Sequence, residues 1–539
     1  MKSNNHGMCT NTLILLLISL FLLQCNSQKQ FSGTPSNPET VEIFYHICQR
    51  SFYDSNGDLH GDLKGLEQKL DYLQELGVTS ILLLPLYESD YYHNYFPNDF
   101  EKIDAEFGML ADYLSLVQAI HDRGLKLYMD MEIQYVTEHH LWFKDSSGNT
   151  ASPYSDYLIY NGPGNTEPES IVFDLYQLES YDGTIDSITT LNLHNPELQV
   201  YFHELFKYWV DPNGDGNFKD GVDGFRIDHM MDDLDWKGKF TNLFADFWKP
   251  LFDSVKSVNP DLKIIGEQAN WGSYGQEYFA GTDLDMVFAF GLKFAIEAMD
   301  KQQIINKADS TFLFTPDGKD QLVFLENHDT DRFASKMQGH LPKLKVGAAL
   351  NLLLKGTPLI YYGQEIGMEG TGGFGYYGNT DANDIPRREA FEWQSTVKSP
   401  GHALWYKDTG PWWDQTNLAD NDGISVEEQE GDPASLLNYY KKLIELRKSH
   451  PALAKGAQHF IDQTNEAVVA FVRSQMDDQL LVVVNLSNEE QRFQLSGDQF
   501  TQWFPKSRPL KDLLSDQEVR ATPALNIVLA PFQVLLLTP

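Results

Sequence analysis

The feature that most constrains the fold is a regular alternation of short apolar runs with helical patterns. One such pattern, LKGLEQKLDYLQELG from Leu63, has leucines three and four residues apart and ends at Gly77. Eight apolar runs separated by helices predict a closed parallel (β/α)₈ barrel, because each pair of successive parallel strands needs a crossover helix. The predicted strands begin at Val41, Thr79, Leu125, Val222, Leu262, Leu284, Gln321 and Thr357.

Two segments depart from this alternation. Residues 135–189 follow the third apolar run, are rich in Gly, Pro, Ser and Asn, and predict an inserted domain that forms one wall of a cleft. After a helical pattern at Leu436, the hydrophobicity alternates with a period of two in AVVAFVRS, QLLVVVNLS, RFQLS and LNIVLAPFQVLLL, each read as one strand. These strands predict a C-terminal antiparallel β-sandwich over residues 455–539. The catalytic barrel would then comprise residues 41–134 and 190–454.

The N-terminus has the pattern of an export signal. The run LILLLISLFLL follows Lys2 and is too short for a permanent membrane span, but it suits the apolar core of a secretory signal. Gln24 and Cys25 resemble a bacterial lipoprotein processing box, although Gln24 replaces the small residue usual there, so plain secretion stays an alternative. We predict a signal peptide over residues 1–25, a linker over residues 26–40, and a lipid anchor facing the periplasm or the cell surface.

The charge balance excludes several classes of partner. There are 77 acidic residues against 41 Lys and Arg, which gives a net charge of −36. Such a surface opposes binding to phosphate backbones and to anionic lipids, so we expect no nucleic acid partner and no membrane contact beyond the lipid anchor. The high aromatic content, 13%, suits neutral stackable ligands such as sugars, although core packing accounts for most aromatic residues.

Charged residues stand at the C-terminal ends of three predicted strands. Arg226 and Asp228 end the fourth strand, Glu267 ends the fifth, and His328 and Asp329 follow the seventh. Because these strand ends meet at one face of a barrel, three acids converge there. One carboxylate that attacks an anomeric carbon and a second, protonated acid that serves the leaving oxygen can cleave a glycosidic bond. Arg226 lies on the same strand face as Asp228, and its charge favours the ionised nucleophile.

These motifs resemble those of the α-amylase family, glycoside hydrolase family 13, from about residue 41 to the C-terminus. GFRID resembles the nucleophile strand, IIGEQ the acid/base strand, FLENHDTDRFAS the third-acid strand and GTPLIYYGQEIGM the eighth strand. The resemblance implies a retaining mechanism in which Asp228 forms a covalent glycosyl intermediate. Glu267 would protonate the leaving group and then activate water. Asp329 would stabilise the distorted transition state, and Arg226 and His328 would orient the groups around it.

Other positions resemble the family with departures. In YYHNYFPNDF, Tyr95 matches a tyrosine that stacks under the sugar, but Phe96 replaces the aspartate that normally follows. In DMEIQY, Gln134 replaces an asparagine that often binds calcium, and Tyr135 replaces a substrate-binding histidine; Thr190 replaces a further aspartate. The resemblance therefore implies an altered pocket and casts doubt on a calcium ion between barrel and insertion. The predicted substrate-binding residues are Tyr95, Tyr135, Arg226 and His328.

A short acidic loop predicts one structural calcium ion. DSNGDLHGD places side-chain oxygens at positions 1, 3, 5 and 9 and a backbone carbonyl at position 7, a set that hard cations prefer. It also resembles the metal loop after the first strand in oligosaccharide-cleaving members of the family; a solvated acidic turn is the alternative. A second loop, residues 211–220, matches positions 1, 3 and 5 but lacks a closing glutamate, so metal site and plain turn stay open there. The predicted ligands of the first loop are Asp54, Asn56, Asp58, His60 and Asp62.

The leading hypothesis is a monomeric, exported hydrolase of α-glucosidic bonds in starch-derived glucans or malto-oligosaccharides. A transglycosylase or a trehalose-synthase-like isomerase is the first alternative, because transfer differs from hydrolysis only in the acceptor that reaches the intermediate. A non-catalytic glucan-binding surface protein on the same scaffold is the second. The three acids argue against that last reading, and the departures near Gln134 argue mildly for it.

Overall fold

The computed structural model describes residues 41–462, 464–504, 509–520 and 524–539. The predicted signal peptide, Cys25 and the linker lie outside the described residues. Within the described residues there is no helix with both the length and the apolar character that crossing a membrane would require.

The predicted eight-stranded barrel is confirmed. Its strands close in chain order with parallel neighbours throughout, and closure is direct, since Phe44 of the first strand pairs with Ser80 of the second and with Leu359 of the eighth. An apolar cluster, including Phe44, Leu82, Ile265 and Leu359, fills the interior. The barrel strands are β1 (Phe44–Ile47), β2 (Ser80–Leu83), β3 (Lys126–Met131), β4 (Gly224–Met230), β5 (Lys263–Gln268), β6 (Met286–Phe288), β7 (Asp320–Val323) and β8 (Thr357–Tyr361).

Helices cover the outside of the barrel with their apolar faces. In Leu110–Asp122 the buried residues recur at helical spacing, for example Tyr113, Leu116 and Ile120. The helix Pro196–Val210 has a well-formed N-cap, because the side chain of Asn195 accepts hydrogen bonds from two backbone N–H groups of the first turn. The longer outer helices are Leu110–Asp122, Pro196–Val210, Lys249–Val258, Phe290–Glu297, Lys301–Leu313, Leu341–Leu353 and Leu436–Ser449; shorter ones are Leu63–Gln68, Leu70–Leu76, Gln276–Thr282 and Phe333–Met337.

The segment between β3 and β4 contains a small three-stranded sheet of its own. Tyr135–Thr137 and Gln177–Glu179 both pair antiparallel with the central strand Ile185–Thr190. The helix Leu141–Ser146 precedes a long irregular stretch. Because Tyr135 pairs with Thr190, the segment leaves and re-enters the barrel at one point, beside the C-terminal ends of β3 and β4.

The C-terminal region is an antiparallel sandwich, as predicted. A six-stranded sheet packs against the pair Gln491–Leu495 and Leu525–Leu529, with an apolar core between them. The run from Leu525 to Leu537, read from the sequence as one strand, is two strands in different sheets. Pro531 lacks an N–H for the ladder and Phe532 has φ of 54°, so the chain turns there. The six-stranded sheet contains Ala457–Phe460, Val468–Gln475, Asp478–Asn485, Val534–Thr538, Leu510–Asp512 and Glu518–Val519.

Candidate active site

The predicted site residues meet at the C-terminal mouth of the barrel. A cavity of about 560 Å³ is lined by all three acids. Arg226 lies below the floor of this cavity and is completely buried. The cavity wall also includes Tyr95, Tyr135 and His328, so every residue predicted for catalysis or substrate binding lies in this one region.

One arginine joins the acids. Arg226 donates from Nη1 to both carboxylate oxygens of Asp130, at 2.9 and 2.8 Å, and to Oδ1 of Asp228. Its Nη2 lies 2.8 Å from Oε2 of Glu267. A buried charge is costly unless it is paired, and here a single guanidinium contacts three carboxyl groups on neighbouring strands. The arrangement explains why strand β4 carries a charge on its inward face.

Glu267 favours the protonated state. Burial raises the pKa of Glu267 well above its usual range; Arg226 opposes this shift, and the nearby Asp228 and Asp329 add to it. The backbone N–H of His229 donates to Oε2 at 3.1 Å, which fixes the orientation of the carboxyl group. A neutral carboxylic acid at the cavity wall is the form that can give a proton to a leaving group.

Asp329 favours the opposite state. Burial alone would raise the pKa of Asp329, but His328, Arg388 and Arg226 outweigh burial and hold it well below its usual range. His328 Nε2 lies 3.0 Å from Oδ2, and Arg388 donates to Oδ1 at 3.1 Å. Arg388 also donates to the backbone carbonyl of His328 at 2.9 Å, so it holds both residues in place. Asp329 is therefore a fixed negative charge in the cavity.

Tyr95 connects the floor of the site to His328. Its hydroxyl donates to Oδ2 of Asp130 at 2.7 Å and lies 2.9 Å from Nε2 of His328. The two rings are stacked, with centroids 5.3 Å apart and an interplanar angle of 16°. Burial raises the pKa of Asp130 to about 7, although Arg226 lowers it, and this carboxyl group anchors both Tyr95 and Arg226.

The two departures at the end of β3 have structural partners. Gln134 donates from Nε2 to the backbone carbonyls of Asp228, at 3.1 Å, and His229, at 3.0 Å. Tyr135 donates from its hydroxyl to Oδ1 of Asp235 at 2.5 Å. Gln134 therefore supports the backbone that carries Asp228, and the phenol of Tyr135 is occupied while its ring forms part of the cavity wall.

Glu132 is a site residue that the sequence analysis missed. It lines the cavity beside Asp228, is 1% exposed, and its Oε1 accepts the backbone N–H of Gln134. Burial raises the pKa of Glu132 well above its usual range, and the negative charge of Asp228 raises it further. The signal was present in DMEIQY, because the alternation of a strand places Asp130, Glu132 and Gln134 on one face.

Three exposed aromatic side chains on the cavity wall were also missed. Phe173 of the inserted segment and Phe374 of the loop after β8 are 77% and 79% exposed, with ring centroids 6.4 Å apart. Trp236, in the loop after β4, is 61% exposed. All three line the cavity, and exposed rings around a cleft suit the apolar faces of sugars. They lie in irregular segments, where no periodic pattern singles them out.

The predicted calcium loop is a tight turn in which the carboxylates of Asp54 and Asp62 accept hydrogen bonds from groups of the loop and of the next helix. Asp54 accepts the backbone N–H groups of Asn56, Gly57 and Leu59. Asp62 accepts from Ser55 and also caps the next helix at Gly65. The oxygen-rich donor set is of the kind that Ca²⁺ prefers, but among the described residues no three Asp or His side chains of this loop bring ligand atoms within 4.8 Å of one another. Calcium binding at Asp54, Asn56, Asp58, His60 and Asp62 stays a prediction, and for residues 211–220 a metal site and a plain turn stay the two alternatives.

The chain resembles known proteins along most of its length. It is 30% identical over 464 residues to Alpha-amylase 3 of Dictyoglomus thermophilum, which covers 85% of this chain and 87% of the relative. It is 28% identical to the Trehalose synthase/amylase TreS of Mycobacterium tuberculosis, over 88% of this chain and 86% of the relative. The crystal structure of an alpha-amylase from H. orenii superimposes with a TM-score of 0.75 at 29% identity, covering 93% of this chain and 99% of the other.

Two family models divide the chain near the start of the C-terminal sandwich. Residues 458–536 match the maltogenic amylase C-terminal domain. Residues 46–456, which hold the barrel except the first two residues of β1, the inserted segment and all of the acids described above, match the alpha amylase catalytic domain. The chain therefore belongs to the α-amylase family, glycoside hydrolase family 13, and its relatives there are named both alpha-amylase and trehalose synthase/amylase.

Proposed function

We propose that the protein is a retaining hydrolase of α-glucosidic bonds in starch-derived glucans or malto-oligosaccharides. The observation that carries the proposal is the pairing of Asp228 and Glu267 through one guanidinium, with the pKa of Glu267 raised by burial. An ionised carboxylate beside a protonated one is what a double displacement at a glycosidic carbon requires.

In the first step Asp228 attacks the anomeric carbon as the bond to the leaving oxygen breaks. Glu267 gives its proton to that oxygen, and a covalent glycosyl ester of Asp228 results. In the second step Glu267, now a carboxylate, takes a proton from water, the water oxygen attacks the anomeric carbon, and the ester bond breaks. Asp329 supplies the negative charge that stabilises the cation-like sugar in both transition states.

The exposed aromatic side chains on the cavity wall, Phe173, Phe374 and Trp236, favour transfer to a sugar acceptor as a second candidate function. Phe173 of the inserted segment and Phe374 of the loop after β8 both line the cavity, with ring centroids 6.4 Å apart, and their exposed apolar faces suit stacking against a sugar acceptor. A stacked sugar acceptor competes with water for the glycosyl intermediate. The trehalose synthase among the relatives is consistent with such a reaction on this scaffold.

Chromatography of products separates the two candidates. Purified protein lacking residues 1–25 is incubated separately with soluble starch, maltoheptaose, isomaltotriose, sucrose and maltose. Short maltodextrins from starch support the hydrolase, whereas trehalose or longer oligomers from maltose support transfer or isomerisation. The matched control is Asp228→Asn, which should bind glucan and release no product. If no substrate changes at all, the enzyme proposal fails and capture of glucan without cleavage replaces it.

We also propose that the enzyme is exported and anchored by a lipid on Cys25. The apolar run before Cys25 supports export, and the sequence Leu-Leu-Gln-Cys supports lipid attachment. Membrane fractionation of the full chain in a bacterial host tests this: the intact chain should sediment with membranes, and Cys25→Ala should not. If neither chain sediments with membranes, the protein is secreted without an anchor. If both sediment equally, a part of the chain other than Cys25 anchors it.

A further inference from the structure

A second constellation of ligand-type side chains lies away from the catalytic cavity. Asp90 follows the short strand Tyr87–Glu88, His139 follows the first strand of the inserted segment, and Asp186 lies on its central strand. The three residues can each bring one ligand atom within 4.8 Å of the others, and they are the one such group of Asp, Glu, His or Cys in the described part of the chain.

The distances in this group lie within about 0.3 Å of those in a tetrahedral coordination shell. His139 Nε2 lies 3.0 Å from Oδ1 of Asp186 and 3.7 Å from Oδ2 of Asp90. Three ligands around a tetrahedral ion, with bonds of about 2.0 to 2.2 Å, would be roughly 3.3 to 3.6 Å apart. Small side-chain movements would bring all three onto one ion.

One oxygen of the buried carboxylate in this group lacks a hydrogen-bond partner among the described residues. Asp186 is 3% exposed, and its Oδ2 is buried and accepts no hydrogen bond from any described residue. A buried oxygen of this kind costs stability unless a donor or a cation satisfies it. Among the described residues, no Lys or Arg forms an ion pair with Asp186 or Asp90, so His139 is their one basic neighbour within 4.0 Å.

The group is open to solvent on one side. Asp90 and His139 line a cavity of about 780 Å³, which also has Glu88, Asp99 and Glu101 on its wall. Asn98 donates to Oδ2 of Asp90 at 2.8 Å and orients that carboxylate. Lys102 and Lys144 also line this cavity, and Lys102 pairs with Glu88 and Asp99. An ion can therefore reach Asp90 and His139 from this cavity and keep a water molecule on the open side.

We propose that Asp90, His139 and Asp186 form a binding site for a divalent transition ion of the Zn²⁺ class. An imidazole ligand with two carboxylates favours such ions over Ca²⁺ and Mg²⁺, which prefer all-oxygen sets. The ligands come from the loop after β2, from the turn after the first strand of the inserted segment, and from the central strand of that segment. Tyr91, next to Asp90, already donates to the carbonyls of Leu178 and Asp186, at 3.0 and 3.3 Å. The ion would tie together the same two parts of the cavity wall.

Metal content and thermal unfolding test the site. Full-length protein without a polyhistidine tag is stripped with chelator and dialysed against Zn²⁺, and the bound ion is counted. We expect one tightly bound Zn²⁺, a Tm that rises with free Zn²⁺, and a smaller rise with Ca²⁺. Asp186→Asn should weaken Zn²⁺ binding by about 100-fold or more and remove the Zn²⁺-dependent rise in Tm.

Two further variants make the result decisive. Asp90 is an exposed ligand, so Asp90→Asn should fold even if Asp186→Asn does not, and it then provides the variant in which Zn²⁺ binding is measured. Asp99→Asn removes a carboxylate from the same cavity without removing a ligand, and it should bind Zn²⁺ as the parent protein does. Unchanged Zn²⁺ stoichiometry in both Asp186→Asn and Asp90→Asn, or a rise in Tm that only Ca²⁺ produces, would overturn the proposal. So would no tightly bound Zn²⁺ in the parent, which would leave only an ion pair of His139 with Asp186.

Discussion

Arg226 precedes Asp228 by two residues on β4 and donates to its carboxylate from Nη1, while Nη2 of the same guanidinium lies 2.8 Å from Glu267. Lysine cannot make both contacts, because an ammonium group is a single centre on a flexible stem. We expect Arg226→Lys to lower kcat/KM by about 100-fold or more. Since Arg226 lowers the pKa of Glu267, a weaker contact should move the alkaline limb of the pH–rate profile to higher pH. Parental kcat/KM in Arg226→Lys, together with an unchanged alkaline limb of the pH–rate profile, would contradict this role of Arg226.

Glu132 lies beside Asp228, and its raised pKa favours the neutral acid. We expect Glu132→Gln to keep most of the activity, because the amide is also neutral and can donate. Glu132→Leu should lose about 10- to 100-fold in kcat, because leucine cannot make the hydrogen bond that Glu132 makes with the carboxylate of Asp228. Steady-state kinetics on the purified variants checks this. Equal rates for the two variants would assign Glu132 a packing role only.

Glu169 ties the inserted segment to the loop after β4. It accepts hydrogen bonds from Lys239, from Lys237 at 3.1 Å and from Asn161 at 2.9 Å. Burial alone would raise the pKa of Glu169, but these donors and charges lower it to about 2. The stabilisation of the folded state by the charge of Glu169 is therefore fully present above about pH 4.3, the pKa of Glu in the unfolded chain. It is lost as the pH falls toward 2.

The matching variant is Glu169→Gln, measured by urea unfolding at several pH values. We expect a loss of about 1 kcal/mol near pH 7, which shrinks progressively below about pH 4. A loss that is independent of pH would show that the charge of Glu169 is not what stabilises the segment.

The exposed ring of Phe374 should contribute to substrate binding. We expect Phe374→Ala to raise KM for malto-oligosaccharides roughly 5- to 10-fold with little change in kcat, because stacking on a distant sugar unit acts on ground state and transition state alike. With added acceptor sugar, the ratio of transfer to hydrolysis should fall. Tyr376→Ala is the matched control, since Tyr376 is an exposed aromatic residue of the same loop. Equal effects of the two substitutions would rule out a specific acceptor platform.

The barrel and the three acids could be predicted from sequence because both depend on strong local patterns. Eight apolar runs alternate with helices, and Asp228, Glu267 and Asp329 each follow such a run, where topology alone brings them together. Phe173 and Phe374 come from irregular segments that are distant in sequence, so their meeting depends on tertiary packing. The turn at Pro531 was missed because apolar residues continue on both sides of it.

The measurement that tests the central claim most directly is identification of the residue that becomes glycosylated. The protein is incubated with a fluorinated glucosyl fluoride, which forms the covalent intermediate quickly and releases it slowly, and the digested peptides are analysed by mass spectrometry. We predict one label per chain on Asp228, and no label in Asp228→Asn. A label on a different residue, or turnover of glucan by the parent protein with no labelled peptide, would contradict a double displacement through Asp228.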